Sequence, residues 1–262
     1  MKTNSKVLIN INNLDEINKY KEIGYTNFLF AVKDLSVGYN AFELSDIPTD
    51  SYLLINRVFD SKGINLVKDN IDNIKKYKGV IFEDLGVFHL LKNSGIELVW
   101  FQNHYATNIE SLNYYLTHGC TSAIISNEIT GNEIEYLVNN AVSPVILNVF
   151  GKNQIMYSRR TLVSNFNKHF NLDNRKESIL NEPVSHNEFL IKENNYGAVI
   201  FNNTYFNYIE FSNKLDDSKI KYYLVLNLDY EPNEIKEILD GKQVGDEGFL
   251  NRKTVYRLED YK

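Results

Sequence analysis

Carboxylates and an imidazole follow a series of short apolar segments in the middle of the chain, where they could meet in one pocket. Glu83 and Asp84 follow the first of these segments, His104 follows the second and Glu128 follows the third. Carboxylates that share a pocket shift one another's pKa and can serve as general acid and base. We therefore predict Glu83, Glu128 and Asp84 as catalytic residues, although Asp84 is equally well placed to cap the helix that follows it.

Amide and arginine side chains near the same segments predict a binding surface. Arg159 and Arg160 follow the seventh apolar segment, where barrel enzymes often bind phosphate or carboxylate groups. Arginine offers such anions a planar fork of N–H donors. The residues that we predict to bind substrate are Asn56, Arg57, Asn103, His104, Asn148, Arg159 and Arg160.

The arginine pair allows more than one interpretation. We expect Arg159 to point into the pocket and to pair with Glu83, Glu128 or a bound anion. Arg160 is the inward residue if the strand before this pair ends one position later than we expect. Alternatively, the arginines form an ion pair with Glu83, Glu128 or Glu182 that only fixes the loop.

A metal site is a further alternative, because Glu83, His104 and Glu128 could supply oxygen and nitrogen ligands. No HExxH or comparable local motif is present in the sequence. We therefore predict no metal ligand and no cofactor, and a divalent metal stays an alternative that rests on ligand chemistry alone.

The elements that must position these residues alternate between strands and helices. The candidate strands are continuous apolar segments, which are typical of strands buried on both faces of a sheet. Strands that alternate with helices form a parallel sheet, and the C-terminal ends of its strands share one face. The pattern therefore predicts a TIM-barrel-like (β/α)8 barrel with the polar residues at its mouth.

The last third of the chain departs from this alternation. An inserted hairpin is expected near residues 188–202, and Lys221–Leu228 is expected to be the eighth strand, although the hairpin could compete for that place. We expect a helix over Tyr205–Leu215 and a short C-terminal tail, Phe249–Leu258, that lies back on the barrel. The whole chain, residues 1–262, is predicted to be one barrel domain.

Composition bounds the class of protein. The net charge of −6 argues against a bulk electrostatic interaction with nucleic acid. No apolar segment approaches the length of a membrane span, and the N-terminus lacks the apolar core of a secretory signal. We therefore expect a cytoplasmic protein without a membrane partner. Cys120 is the only cysteine in the sequence, so no intrachain disulfide can form.

Several of these segments resemble the collagenase-like peptidase family, peptidase family U32, over about residues 7–166. The residues that carry the resemblance are Asp84 and Gly86 after a strand, Ile125–Glu128, and above all Phe150–Ser164. The last segment of the family reads roughly H-G-x-x-C-x-x-[YF]-S-G-x-C-x-x-S. Gly151, Tyr157, Ser158 and Ser164 match it. The resemblance implies a barrel fold and, by the family's name, a peptidase.

The chain also departs from the family pattern. The family's histidine falls at Phe150, its two cysteines at Gln154 and Thr161, its glycine at Arg159 and a usual arginine at Asn127. Cysteine-bearing members resemble iron–sulfur partners in the hydroxylation of RNA bases or quinone precursors. Without those thiolates we predict that this chain holds no iron–sulfur cluster.

Three functions follow from the resemblance and the departures. The first is a peptidase or other hydrolase whose catalytic type cannot be assigned from the sequence. The second is a non-catalytic or accessory subunit that partners a cysteine-bearing relative of the same family. The third is a protein that binds a small anionic ligand.

Overall fold

Eight parallel strands close into a barrel in the computed structural model, which describes residues 4–252. The strands are β1 (Val7–Asn10), β2 (Asn27–Val32), β3 (Ala41–Phe42), β4 (Tyr52–Ile55), β5 (Gly79–Phe82), β6 (Glu97–Phe101), β7 (Ser122–Ile125), β8 (Val145–Ser158), β9 (Glu177–Asn181), β10 (Glu188–Asn194), β11 (Gly197–Asn207) and β12 (Ile220–Leu226). The barrel uses β1, β2, β4 to β8 and β12, and pairing of β12 with both β1 and β8 closes it. The predicted (β/α)8 fold and the predicted eighth strand are thus confirmed.

Helices follow most barrel strands and cover the outside of the barrel. They are α1 (Glu16–Glu22), α2 (Gly63–Asp69), α3 (Ile71–Ile74), α4 (Leu85–Leu91), α5 (Ile109–Thr117), α6 (Gly131–Asn140), α7 (Leu162–Phe170), α8 (Ile209–Ser212) and α9 (Pro232–Leu239), with short 3-10 turns at Asn4–Lys6, Leu44–Asp46 and Asp217–Lys219. Side chains cap several of the first turns: Asp84 caps α4, Asn108 caps α5 and Thr130 caps α6. Within residues 4–252, no helix is long and apolar enough to cross a membrane.

Alternate residues of the barrel strands pack on opposite sides of the sheet. One set fills the barrel interior: Leu8, Leu29, Leu54, Ile81, Val99, Ile124, Ile146 and Leu224. Their neighbours along each strand pack outward, against helix residues such as Tyr20 and Val67. Both sets are buried, which is why the strands read as continuous apolar segments. A filled interior means that a ligand can enter only at the mouth.

A sheet extension rises from the barrel at β8. This strand continues past the barrel, and its second half pairs antiparallel with β11, which pairs with β10, and β10 with β9. The predicted hairpin is present as β10 and β11, but both strands are longer than expected and a third strand joins them. The helix predicted over Tyr205–Leu215 was wrong, because Tyr205–Asn207 is the end of β11 and only α8 is helical. Cross-strand pairing with β8 outweighs local helix propensity there.

The start of the predicted tail lies back on the barrel. The backbone N–H of Phe249 donates to the hydroxyl of Tyr208 at 3.0 Å, and the N–H of Gly131 donates to the carbonyl of Leu250 at 2.9 Å. Residues 253–258 of the predicted tail lie outside the described part of the chain.

Candidate active site

The C-terminal ends of β5, β6, β7 and β8 surround a small polar cavity at the barrel mouth. Its walls are Tyr39, Glu83, Phe101, Gln102, Asn103, His104, Asn127, Asn148, Lys152, Gln154 and Leu226. The cavity measures about 20 Å³, which is close to the space that one ordered water requires. Of the residues predicted to form the site, Glu83, Asn103, His104 and Asn148 therefore share one cavity, and Glu128 and Arg159 are not part of its wall.

Glu83 is the buried carboxyl group of this cavity. It follows the last residue of β5, so its backbone is fixed by the strand. Its surface is only partly buried, because the cavity opens beside it, but protein atoms surround the carboxyl group. Burial raises the pKa of Glu83 to about 8, and a hydrogen bond from the Asn56 side chain opposes part of that rise. A carboxyl group in this state can donate or accept a proton near neutral pH.

Asn127 and Asn148 present buried amide oxygens that lack hydrogen-bond partners within the described residues. Both side chains are at least nine-tenths buried and line the cavity. A β-bulge turns the backbone at Asn148, because Leu224 and Val225 of β12 pair with Asn148 and Phe150 and skip a residue of β8. Unpaired buried acceptors are costly, so a donor group is expected to meet them.

Lys152 is the cation of the cavity, and the sequence analysis missed it. Its ammonium lies 2.7 Å from Asp229 Oδ2 and donates to Asn203 Oδ1 at 2.9 Å. The ring of Tyr205 lies 5.0 Å from it. The Lys152 side chain is 6% exposed, so its charge is held in place with little solvent around it. The sequence signal for this site was a lysine within a long strand segment. Lys152 becomes buried only because β8 extends past the barrel.

The sheet beside the cavity is irregular. Phe201 of β11 pairs with Gln154, and Tyr205 pairs with Lys152, so residues 202–204 bulge out opposite Asn153. The bulge brings Asn203 to Lys152. Bulges re-aim side chains and are frequent next to active sites.

His104 and Glu128 form a pair at the rim. The ring Nδ1 of His104 lies 2.9 Å from Glu128 Oε2, and both side chains reach solvent. The two residues line a groove of about 380 Å³ together with Asn153, Asn202 and Phe249. His104 also lines the central cavity, so the groove and the cavity lie on either side of this residue.

Asn103, Asn56 and Arg57 have partners within the protein. The side-chain oxygen of Asn103 accepts the N–H of Asn127 at 3.1 Å, which joins β6 to β7. Asn56 exchanges two hydrogen bonds with the backbone of Val37, at 3.0 and 3.1 Å. Asn56 also reaches the carboxyl group of Glu83, so it helps to set the environment of that group.

The guanidinium of Arg57 is buried against aromatic rings. Its carbon lies 3.7 Å from the centroid of Tyr196 and 5.0 Å from that of Phe59, and Nη1 donates to the carbonyl of Asp34 at 2.8 Å. These contacts join β4 to the β10–β11 turn. Arg57 thus packs the sheet extension onto the barrel.

Asp84 caps α4, as one of the two interpretations expected. One carboxylate oxygen accepts the N–H of Gly86 at 2.7 Å, and the other accepts the N–H of Phe59 at 3.0 Å. Asp84 does not line the cavity that contains Glu83. Its carboxylate fixes the α4 start and the loop after β4.

The expected partner of Arg159 was wrong. Its Nη2 lies 2.9 Å from Asp60 Oδ2, and both side chains are about half exposed, so it pairs with neither Glu83 nor Glu128. The physical reason is the length of β8, which carries Arg159 beyond the barrel strands. Arg160 is exposed as well, and its N–H donates to Ser158 Oγ at 3.2 Å.

Comparison with known proteins identifies the family of this chain. The model of one family, described as Peptidase family U32, matches residues 29–223, which is more than half of the chain. The chain belongs to peptidase family U32. No curated protein matches it at a significant level.

Solved structures resemble this U32 chain only distantly. A phosphonopyruvate hydrolase complexed with oxalate and Mg²⁺ is 11% identical with a TM-score of 0.41, covering 55% of this chain and 67% of its own. A chitinase from Chromobacterium violaceum is 10% identical with a TM-score of 0.43, covering 91% of this chain and 99% of its own.

The residues that match the U32 motif stabilise the sheet extension. Gly151 lets β8 approach β12, since a Cβ there would lie 3.1 Å from the Cβ of Leu226. The hydroxyl of Tyr157 donates to the carbonyl of Tyr196 at 3.0 Å. Ser164 donates to the buried carboxylate of Glu193 at the start of α7. The motif residues therefore fix how β8 packs on β12 and on the β10–β11 turn, and how α7 packs on β10.

The positions that depart from the motif carry an aromatic, an amide and a hydroxyl side chain. Phe150 is buried and stacks on Tyr205 at 4.6 Å, Gln154 lines the cavity and Thr161 precedes α7. None of them offers a thiolate, and burial raises the pKa of Cys120 to about 12. In residues 4–252, no group of three or more His, Cys, Asp or Glu side chains is arranged to hold a metal ion.

Proposed function

We propose that this U32 chain is a hydrolase of amide bonds whose chemistry takes place at the central cavity, with Glu83 as the general acid–base group. The observation that carries the proposal is the convergence of Glu83, the unpaired oxygens of Asn127 and Asn148, and the buried ammonium of Lys152 around one cavity. Membership of a peptidase family supports amide hydrolysis as the reaction class.

The groups suit a reaction in which water is the nucleophile. The size of the cavity matches one water molecule, whose hydrogens would meet the carboxylate of Glu83 and an amide oxygen of Asn127 or Asn148. Ionised Glu83 takes a proton from the water as its oxygen attacks the substrate carbonyl. Protonated Glu83 then gives that proton to the leaving amine, so the carboxylate is restored.

Lys152 is the cation available to the negative charge that develops on the carbonyl oxygen. Asp229 and Asn203 hold its ammonium, so it needs no reorganisation during the reaction. The groove at His104 and Glu128 is where a peptide would lie, because the cavity itself has room only for the attacking water.

The test is hydrolysis of peptide libraries by the wild-type chain and by Glu83→Gln, with and without divalent metals. We expect Glu83→Gln to lower kcat/KM by at least about 100-fold, in line with the loss of a general base. Wild-type kcat/KM should rise with pH, with an apparent pKa near the value of about 8 for Glu83. Absence of cleavage under every condition, or cleavage that survives Glu83→Gln, contradicts the proposal.

Binding of a small anion is a second candidate, favoured by the buried cation Lys152. A carboxylate or phosphate that meets this ammonium would raise the melting temperature by mass action. Thermal-shift measurements with acetate and inorganic phosphate, on the wild type and on Lys152→Met, separate this role from catalysis. Stabilisation that is lost in Lys152→Met without any hydrolysis by the wild type supports binding alone.

A further inference from the structure

Within residues 4–252, strand β9 is the last strand of the sheet extension, and no other strand pairs with its outer edge. The N–H of Glu182 donates to the carbonyl of Asn187, and the N–H of Glu193 donates to the carbonyl of Lys176. With the register of β9 on β10, these bonds direct the backbone groups of even-numbered β9 residues toward β10. The backbone groups of Glu177, Ile179 and Asn181 therefore point away from the sheet, where they can pair with another strand.

Exposed apolar side chains surround this edge. Ile179 is 45% exposed and Leu180 is 47% exposed. Leu180 and Ser178 line an open apolar groove of about 540 Å³ against α7, whose other walls include Phe166 and Leu172. An open strand beside exposed apolar surface is a template for association with another chain.

The two ends of β9 carry opposite charges, so two antiparallel copies of the strand are complementary in charge. Lys176 precedes the strand and Glu182 follows it. An antiparallel copy therefore brings Lys176 of one chain opposite Glu182 of the other. Lys176 already donates to Glu193 and Ser164, at 3.0 and 2.8 Å, which leaves one ammonium hydrogen for a further acceptor. The Glu182 side chain is partly exposed; its carboxylate accepts the N–H of Val184 at 3.0 Å and that of Ser185, and its oxygens can accept further hydrogen bonds.

We propose that β9 pairs antiparallel with β9 of a second copy of this chain about a two-fold axis at Ile179. Because β9 already pairs with β10, only its outward-facing residues, Glu177, Ile179 and Asn181, can pair with a second copy. The register centred on Ile179 pairs all three of these residues. Glu177 then pairs with Asn181 of the second copy, Lys176 lies opposite Glu182, and the sheets of both copies become continuous. The grooves beside α7 meet across the axis and bury their apolar walls.

Cysteine cross-linking tests the register. Ile179→Cys would lie opposite itself at the Cα separation of about 5.5 Å that a hydrogen-bonded antiparallel pair shows, which allows a disulfide. In the matched control Leu180→Cys, the two Cα atoms would be about 8 Å apart, beyond disulfide reach. We expect a disulfide-linked dimer from Ile179→Cys under mild oxidation, and little or none from Leu180→Cys.

Light scattering and sedimentation test the association itself. The wild type should be a dimer, and Ile179→Lys should weaken dimerisation by at least about tenfold because an apolar contact is lost. Val142→Lys, at a residue 58% exposed in the loop before β8, is the control that should leave the dimer intact. Circular dichroism verifies that each variant is folded.

Three results overturn the proposal: a wild type that is monomeric at high concentration, a dimer that survives Ile179→Lys, or equal cross-linking of both cysteine variants. Capture of a different U32 protein through β9, with no dimer of this chain, also overturns it. None of these measurements depends on hydrolysis, so the proposed function and this interface can fail separately.

Discussion

At the scale of single residues, Glu83 and Asp84 show how position divides the roles of adjacent carboxyl groups. Asp84 uses both oxygens to accept backbone N–H groups. Glu83 lies in the cavity, where burial raises its pKa to about 8. Removing water from a carboxylate costs free energy, and only hydrogen bonds or cations can offset that cost.

The first prediction concerns the stability of Glu83→Gln. The folded pKa of about 8 lies above the unfolded value of 4.5, so the folded state of the wild type loses stability as pH rises from 4.5 to 8. Glutamine removes this penalty. We expect Glu83→Gln to unfold in urea with a free energy higher than that of the wild type by about 1–3 kcal/mol at pH 8, and with no such gain at pH 4.

Glu135→Gln, on the exposed face of α6, controls for the loss of one negative charge. The burial argument is wrong if Glu83→Gln and the wild type show the same pH dependence of unfolding. Because urea unfolding needs no substrate, this result does not depend on the proposed reaction.

At the scale of elements, a buried carboxylate joins α7 to the sheet extension. Glu193 on β10 accepts the N–H groups of Val163 and Ser164 at 2.7 and 3.1 Å, and Lys176 lies 3.0 Å away. Burial alone would raise the pKa of Glu193, but the hydrogen bonds from Ser164 and Lys176 outweigh it and the pKa is lowered. The carboxylate thus replaces water at the first turn of α7.

The second prediction is that Glu193→Gln loosens α7. Loss of the charged acceptor should lower the free energy of unfolding by about 1.5–3 kcal/mol, the range for hydrogen bonds to charged groups. The folded pKa is below the unfolded value, so this stability is present above pH 4.5 and is lost as pH falls through the folded pKa. Hydrogen exchange should show faster opening of α7 and β10 in the variant at pH 7, with the barrel strands unchanged.

Glu188→Gln is the matched control, because Glu188 starts the same strand but is exposed. Equal exchange of α7 in wild type and Glu193→Gln contradicts this role of the carboxylate.

At the scale of the whole molecule, a polar network closes the end of the barrel opposite the cavity. Glu97 at the start of β6 accepts the hydroxyl of Tyr52 from β4, and the ammonium of Lys221 from β12 lies 2.6 Å away. Because β6 and β12 lie on different sides of the barrel, these bonds connect strands that do not pair. Groups at this end of a barrel contribute to stability.

The third prediction is that Glu97→Gln lowers the free energy of unfolding of the whole barrel. Burial raises the pKa of Glu97, but hydrogen bonds from Lys221 and Tyr52 lower it below 4.5 overall. Its contribution is therefore present above pH 4.5 and is lost as pH falls through the folded pKa. Since Glu97 is about one-third exposed, solvent screening limits the loss at pH 7 to about 1 kcal/mol, measurable by urea unfolding.

Glu43→Gln disrupts the exposed ion pair with Lys33 and should change the free energy of unfolding by less than about 0.5 kcal/mol. Equal effects of the two variants would mean that the network at the barrel end adds nothing beyond a surface pair.

The sequence by itself determined the barrel and the strand ends where its mouth lies. Continuous apolar strands, helix caps such as Asp84 and Asn108, and polar residues after each strand are local signals, because burial on both faces and capping act within a few residues. These signals predict that Glu83, Asn103 and Asn148 lie together at the mouth, and the three residues line one cavity.

Tertiary structure alone decided how the mouth is filled. The continuation of β8 to Ser158 buries Lys152 and carries Arg159 away to Asp60, and Glu128 lies outside the cavity, at the rim beside His104. The positions of Lys152 and Arg159 depend on pairing between β8 and β11, which are distant in sequence. A local pattern cannot encode that register, because it is set by which strands meet and where each strand bulges.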